Sequence, residues 1–286
     1  MKRFPAISTC LFLLLSVTCL AKDIETVLPG GALAEADYRQ GNPDKPAILL
    51  IHGFLTVHNF NLIQNIASEL ADNGFTVLAP TLTLGISKRR TTLDCDALHL
   101  HSMDEDLKEI EWWVKWLIDN GHKKIILMGH SSGAVQIVAY ANTFKHREVT
   151  KLIALSLVPL SSPMIRHSPE SNQQASNLVK KNNTEIHNFT VAYCIDNYSS
   201  PVKQYLSYAQ WNSSRILKSL NALILEKTII IGSMDTSRSD MWINDIKNTN
   251  SIVYIIEGAD HFFGSGTEFE LYDRIMQGIA GNQDNH

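Results

Sequence analysis

The chain has 286 residues, 44% of them hydrophobic and 19% charged. That balance excludes a disordered or coiled-coil protein, and the length is ample for a buried core. Lys and Arg number 25 against 29 Asp and Glu, a net charge of −4, which argues against a nucleic-acid partner.

Met1-Lys2-Arg3 is a short positive start, and Ile7 to Leu20 is almost wholly apolar. Cys19 and Ala21 supply small residues before Lys22, so residues 1–21 read as a secretory signal peptide. The apolar run is short for a membrane span. A lipid anchor on Cys19 is the alternative, weakened by the poor lipobox Ser16-Val17-Thr18. Cys10 and Cys19 leave with the leader, so Cys95 and Cys194 remain. Export permits them to pair; two buried free thiols are the other outcome. Neither spacing is that of a zinc or redox motif.

Beyond the leader, residues 22–286 read as a single domain. Ala32 to Tyr38 suggests a strand after the Gly30-Gly31 turn. Pro46 to His52 is a continuous apolar run, as in a strand covered on both faces. Leu62, Ile63, Ile66 and Leu70 fall at helical spacing, with Asn73-Gly74 as a stop. Phe75 to Ala79 is a strand closed by Pro80, and residues 81–101 look irregular. Within them Lys88-Arg89-Arg90 reads chiefly as a solvated loop. His99 and His101 could make a metal pair with Asp94 or Asp96, but no third ligand has convincing spacing. A loop bordering the mouth of the site is the favoured reading.

Ser102 and Glu105 form a capping box for a helix to about Asn120. Strands follow at Lys124–Met128, Lys151–Leu157, Glu226–Ile231 and Ser251–Ile256, with a helix from Ser132. Thr267 and Glu270 suggest a second capping box before a last helix. The alternation implies an α/β fold with a mostly parallel sheet flanked by helices. The rhythm fails after the Lys151–Leu157 strand, at about residues 161–221. That stretch holds Phe189, Tyr193, Tyr198, Tyr205, Tyr208 and Trp211, and reads as a cap or lid insertion. Its aromatics serve mainly to fix the cap to the core. Four glycosylation sequons, at Asn182, Asn188, Asn197 and Asn212, lie in the same region.

Gly129-His130-Ser131-Ser132-Gly133 follows one strand and opens a helix. A G-x-S-x-G turn there raises the serine hydroxyl at the carboxyl edge of the sheet. A serine needs a base to become nucleophilic, and the base needs a third group to orient it. Asp235, in Gly232-Ser233-Met234-Asp235, and His261, in Gly258-Ala259-Asp260-His261, each follow a later strand. Asp240 is the rival acid, and Asp260 reads as a cap or a solvent-facing group.

With His52-Gly53-Phe54 after the first long strand, these motifs resemble the α/β-hydrolase superfamily, in particular its serine esterases and lipases. The resemblance implies Ser131 as nucleophile, His261 as base and Asp235 as its orienter. It further implies an oxyanion hole from the amides of Phe54 and Ser132. His52 then orders the oxyanion loop, and His130 shapes the pocket. The activity implied is cleavage of a small-molecule carboxylic ester, with a short to medium apolar acyl group and no cofactor or metal. An amidase or peptidase on the same residues is the alternative, and a non-catalytic binding protein on the same scaffold is the third reading.

Overall fold

The computed structural model describes residues 21–162, 165–264 and 266–281. The expected leader lies outside them, apart from Ala21. The chain opens with a hairpin of β1 (Ala21–Val27) and β2 (Leu33–Arg39). The elements β3 (Ala47–Ile51), α1 (Asn61–Asp72) and β4 (Thr76–Thr81) follow. Next come α2 (Met103–Asp119), β5 (Ile125–His130), α3 (Ser132–Thr143) and β6 (Val149–Leu155). A segment outside the main sheet contains α4 (Ser168–Lys180), β7 (Ile186–Val191), β8 (Cys194–Pro201), α5 (Val202–Ala209) and α6 (Ser213–Ala222). The chain then rejoins the sheet through β9 (Glu226–Gly232), α7 (Asp240–Lys247), β10 (Ile252–Ile256) and α8 (Glu268–Ala280).

The sheet runs β1-β2-β4-β3-β5-β6-β9-β10. β1, β2 and β4 pair antiparallel in turn, and every later neighbour is parallel. The central strands are apolar throughout because successive side chains serve opposite faces. Leu49 and Leu127 point into one core, with Leu107, Ile110 and Trp113 of α2. Ile48 and Met128 point into the other, with Ile63 of α1 and Leu271 of α8. The carboxyl ends of β3, β5, β6, β9 and β10 therefore converge on one edge, where an open α/β sheet carries its ligand site.

Three expectations need correction. Pro80 lies inside β4, not after it. β3 pairs with β4 only as far as Leu78, so Pro80 has no ladder bond to withhold there. Thr267 does not build a capping box: its hydroxyl donates to the Gly264 carbonyl at 2.8 Å. Its ψ of 1° departs from the extended backbone that a capping side chain needs. Ser102, at φ −131° and ψ 158°, has that backbone and forms the reciprocal box with Glu105.

Among its described residues the stretch from 161 to 221 is also regular, with three helices and the β7–β8 hairpin. Its strands alternate weakly: in β7 only Phe189, Thr190 and Val191 are buried. Its aromatics pack both within it and against the rest of the chain. Phe189 stacks on Tyr205 at 4.2 Å inside the segment, while Tyr198 stacks on His99 at 4.2 Å and Tyr208 meets Phe54 edge-on at 6.0 Å. Cys95 and Cys194 are bonded, with Cα atoms 5.5 Å apart, and tie the loop before α2 to β8. No helix among the described residues is long and apolar enough to cross a membrane.

Candidate active site

Ser131 sits between β5 and α3 with φ +55° and ψ −118°. A non-glycine residue holds such a conformation only where its surroundings enforce it. The flanking glycines make the turn sterically feasible. A Cβ on Gly129 would lie 2.4 Å from the Gly133 carbonyl oxygen. One on Gly133 would lie 2.5 Å from the carbonyl oxygens of Ile51 and His52. The elbow thus packs directly on the carboxyl end of β3.

Ser131 Oγ lies 2.9 Å from His261 Nε2, and His261 Nδ1 lies 2.8 Å from Asp235 Oδ2. The carboxylate accepts from Nδ1–H, which leaves the Nε2 lone pair facing the serine hydroxyl. Burial pushes the Asp235 carboxyl up, but the His261 bond and the Ser237 hydroxyl and amide bring it net below its ordinary value. Sequence reasoning missed Ser237. Its hydroxyl donates to Asp235 Oδ1 and its oxygen lies 3.0 Å from His261 Nδ1. It missed Ser156 too. The His261 carbonyl accepts from Ser156 Oγ at 2.8 Å and from His130 Nε2 at 2.9 Å. His130 thus fixes the backbone of His261. Burial, then the neighbouring His261, pushes its imidazole down to about 3, so it is neutral.

On the other side of Ser131 lies the loop from His52 to Thr56. The Gly53 carbonyl accepts from His52 Nδ1 at 2.8 Å, Thr56 Oγ1 at 3.0 Å and the Thr56 amide at 3.2 Å. The peptide is planar and trans, so the Phe54 N–H points away from that cluster. Neither the Phe54 amide nor the Ser132 amide has an acceptor among the described residues. Ser132 also opens α3, whose free amides and dipole favour negative charge there. Burial and the Arg89 charge push His52 down to about 3, and its Nε2 accepts from the Leu82 amide at 3.0 Å.

Arg89 overturns the reading of its stretch as a solvated loop. Lys88 and Arg90 do face outward, toward Glu25 and Glu35, but Arg89 is 4% exposed. Its guanidinium donates to the carbonyls of Leu82, Leu55, Thr91 and Thr56 at 2.7–3.2 Å. Backbone acceptors replace water around the charge, which is why it can be buried. His99 and His101 are likewise buried, and His101 lines a small cavity with Phe54 and Ser132. His101 Nδ1 lies 2.6 Å from Tyr208 Oη, which donates to Asp106. No group of three or more candidate ligands is arranged for a metal among the described residues. Asp240 pairs with Arg238 and is nearly fully exposed, while Asp260 caps the turn through the amides of Phe262 and Gly264.

A family model for the alpha/beta hydrolase fold matches residues 46–264. The chain belongs to that family. Among solved structures it is similar to a thioesterase domain from the curacin biosynthetic pathway. The two share 19% identity over 90% of this chain and 99% of that one, with a TM-score of 0.64. Est1E from Butyrivibrio proteoclasticus shares 16% over 91% and 99%, with a TM-score of 0.62. The Pyrococcus furiosus esterase Pf2001 shares 16% over 92% and 92%, with a TM-score of 0.60. Identities this low establish a shared fold and nothing finer. No curated protein sequence matches the chain significantly.

Proposed function

We propose that the protein is an exported serine hydrolase that cleaves carboxylic esters. The observation that carries this reading is the continuous bonding of Asp235, His261 and Ser131, at 2.8 and 2.9 Å, on a strained elbow. Ser131 Oγ attacks the ester carbonyl as its proton passes to His261 Nε2. Asp235 holds the imidazole and stabilises the imidazolium. The amides of Phe54 and Ser132 receive the oxyanion. Collapse of the tetrahedral species breaks the bond to the alcohol, which leaves with the His261 proton as the acyl-enzyme forms. His261 then takes a proton from water, hydroxide attacks the acyl carbonyl, and collapse releases the acid as His261 returns the proton to Ser131 Oγ.

An apolar acyl group is supported by the rim beside the base. Phe262 is half exposed, its ring 5.1 Å from His261 and 5.6 Å from Phe60. Export is supported by the leader-like residues 1–21 and by the Cys95–Cys194 bond, which an oxidising compartment favours. Residues 22–286 then form one domain, with about 161–221 as its cap.

Labelling with a fluorophosphonate probe and peptide mapping tests the reading. The label is expected on Ser131 and absent from Ser131→Ala, with p-nitrophenyl esters hydrolysed faster than matching anilides. A folded wild type that takes no label defeats the proposal, and label retained in the variant assigns another nucleophile.

A further inference from the structure

The loop from Gly53 to Thr56 belongs to no helix or strand, and Leu55 within it has a φ of +58°. A loop that must present one amide in a fixed direction needs something rigid behind it. Behind it lies a single planar group. Arg89 Nη1 donates to the Leu55 carbonyl at 3.2 Å and Nη2 to the Thr56 carbonyl at 2.7 Å. Its Nε donates to the Leu82 carbonyl, just beyond β4, at 2.8 Å, and Nη2 lies 3.3 Å from His52 Nε2. The guanidinium thus ties the loop after β3 to the end of β4.

The contacts bear on the Phe54 amide by a short path. The Gly53 carbonyl and the Phe54 N–H share one peptide plane. That plane is fixed by three bonds, two from Thr56 and one from His52. Both donors are residues that Arg89 touches. Among the described residues Arg89 forms no ion pair, so its charge is not spent on a carboxylate contact. Asp106 and Glu109 of α2 act on it only through space. Lysine would keep the charge but lose the fork, and could not span these carbonyls together.

We propose that Arg89 is a positioning residue that holds the oxyanion loop, and through Thr56 and His52 aims the Phe54 N–H at the developing oxyanion. The catalytic consequence rests on the function proposed above; the hold on the loop does not. Two measurements separate them: steady-state kinetics on a p-nitrophenyl ester, and amide hydrogen exchange along the chain. In Arg89→Met, kcat is expected to fall about 100-fold, as on loss of one oxyanion donor. KM is expected to change less than about threefold, since ground-state binding is spared. Exchange at residues 53–57 is expected to speed at least about tenfold while the sheet strands keep their wild-type rates. Arg89→Lys is expected to fall between, and carries the test should the Met variant not fold.

Unchanged exchange at 53–57 in a folded variant overturns the proposal, as does a general rise across the strands. An unchanged kcat in an active enzyme overturns its catalytic half. Wild type that hydrolyses no ester overturns the proposed function instead, and the exchange data still decide what Arg89 holds.

Discussion

On one side of Ser131 stand His261 and Asp235; on the other lies the loop from His52 to Thr56. The first side hangs on the ends of β9 and β10; Asp235 is buried there, but the His261 side chain keeps 19% of its surface in solvent. The second is closed. His52, Phe54, Arg89, His101 and Asp106 are each 5% exposed or less. In the function proposed above, the difference suits the two roles. A group that takes and returns protons must exchange with the reacting water, so it tolerates solvent. A donor that stabilises developing charge works best when it is fixed in advance and water is kept away. His261 is held by a few bonds at its backbone and its Nδ1, while the loop from His52 to Thr56 rests on a buried polar lattice.

The comparison breaks most sharply at Asp235. Asp235→Asn is expected to lower kcat by about 10³–10⁴-fold, because the amide no longer fixes the His261 tautomer. Ester kinetics on folded variant protein check this, with KM expected to move little. A loss of only about tenfold would mean that Ser237, 3.0 Å from the same nitrogen, orients the ring instead.

The two sides also differ in how far they could be read from sequence. Ser131, Asp235 and His261 were legible because each follows a strand end in a short glycine-led motif. The glycines of the elbow are required by contacts of 2.4 and 2.5 Å that any Cβ would make. The support of the other side was not legible. Arg89 binds main-chain carbonyls, and a carbonyl carries no side-chain signature. Its stretch looked solvated because Lys88 and Arg90, its neighbours, are. Ser156 and Ser237 are small polar residues near strand ends, and nothing local separates them from ordinary turn serines. The cap helices were obscured because α4, with only Ser168, Ser171 and Ala175 buried, shows almost no apolar stripe. Thr267 shows the converse, where a correct pattern met a backbone that could not use it.

The disulfide should distinguish the sides by stability and then by rate. Cys95 and Cys194 are 99 residues apart, and closing a loop of that size is worth up to about 4.7 kcal/mol in the chain-entropy model. Cys95→Ser with Cys194→Ser is expected to lower the unfolding free energy by several kcal/mol, read by urea unfolding. Tyr193, next to Cys194, donates to the Phe54 carbonyl at 3.1 Å, so the link braces the oxyanion side. Below its unfolding midpoint the variant should lose kcat while Ser131 keeps its bond to His261. Equal unfolding curves for the oxidised and double-serine proteins would refute this.

The mildest test concerns Asp106, beneath the oxyanion loop. Burial pushes its carboxyl up from 3.8 to about 8, against bonds from Tyr208 and Gln136 that lower it. The folded protein thus holds a proton that the unfolded chain has released between those two values. Stability from this group is full below about 4, falls as pH rises toward about 8, and changes no further above it. The slope is at most about 1.4 kcal/mol per pH unit. Asp106→Asn cannot titrate, so its stability relative to wild type should rise steadily from pH 5 to pH 8. Urea unfolding at pH 5, 6.5 and 8 reads this directly. Parallel curves for the two proteins would mean that Asp106 is ionised throughout, and that Arg89 and its lattice already carry a full negative charge beside them.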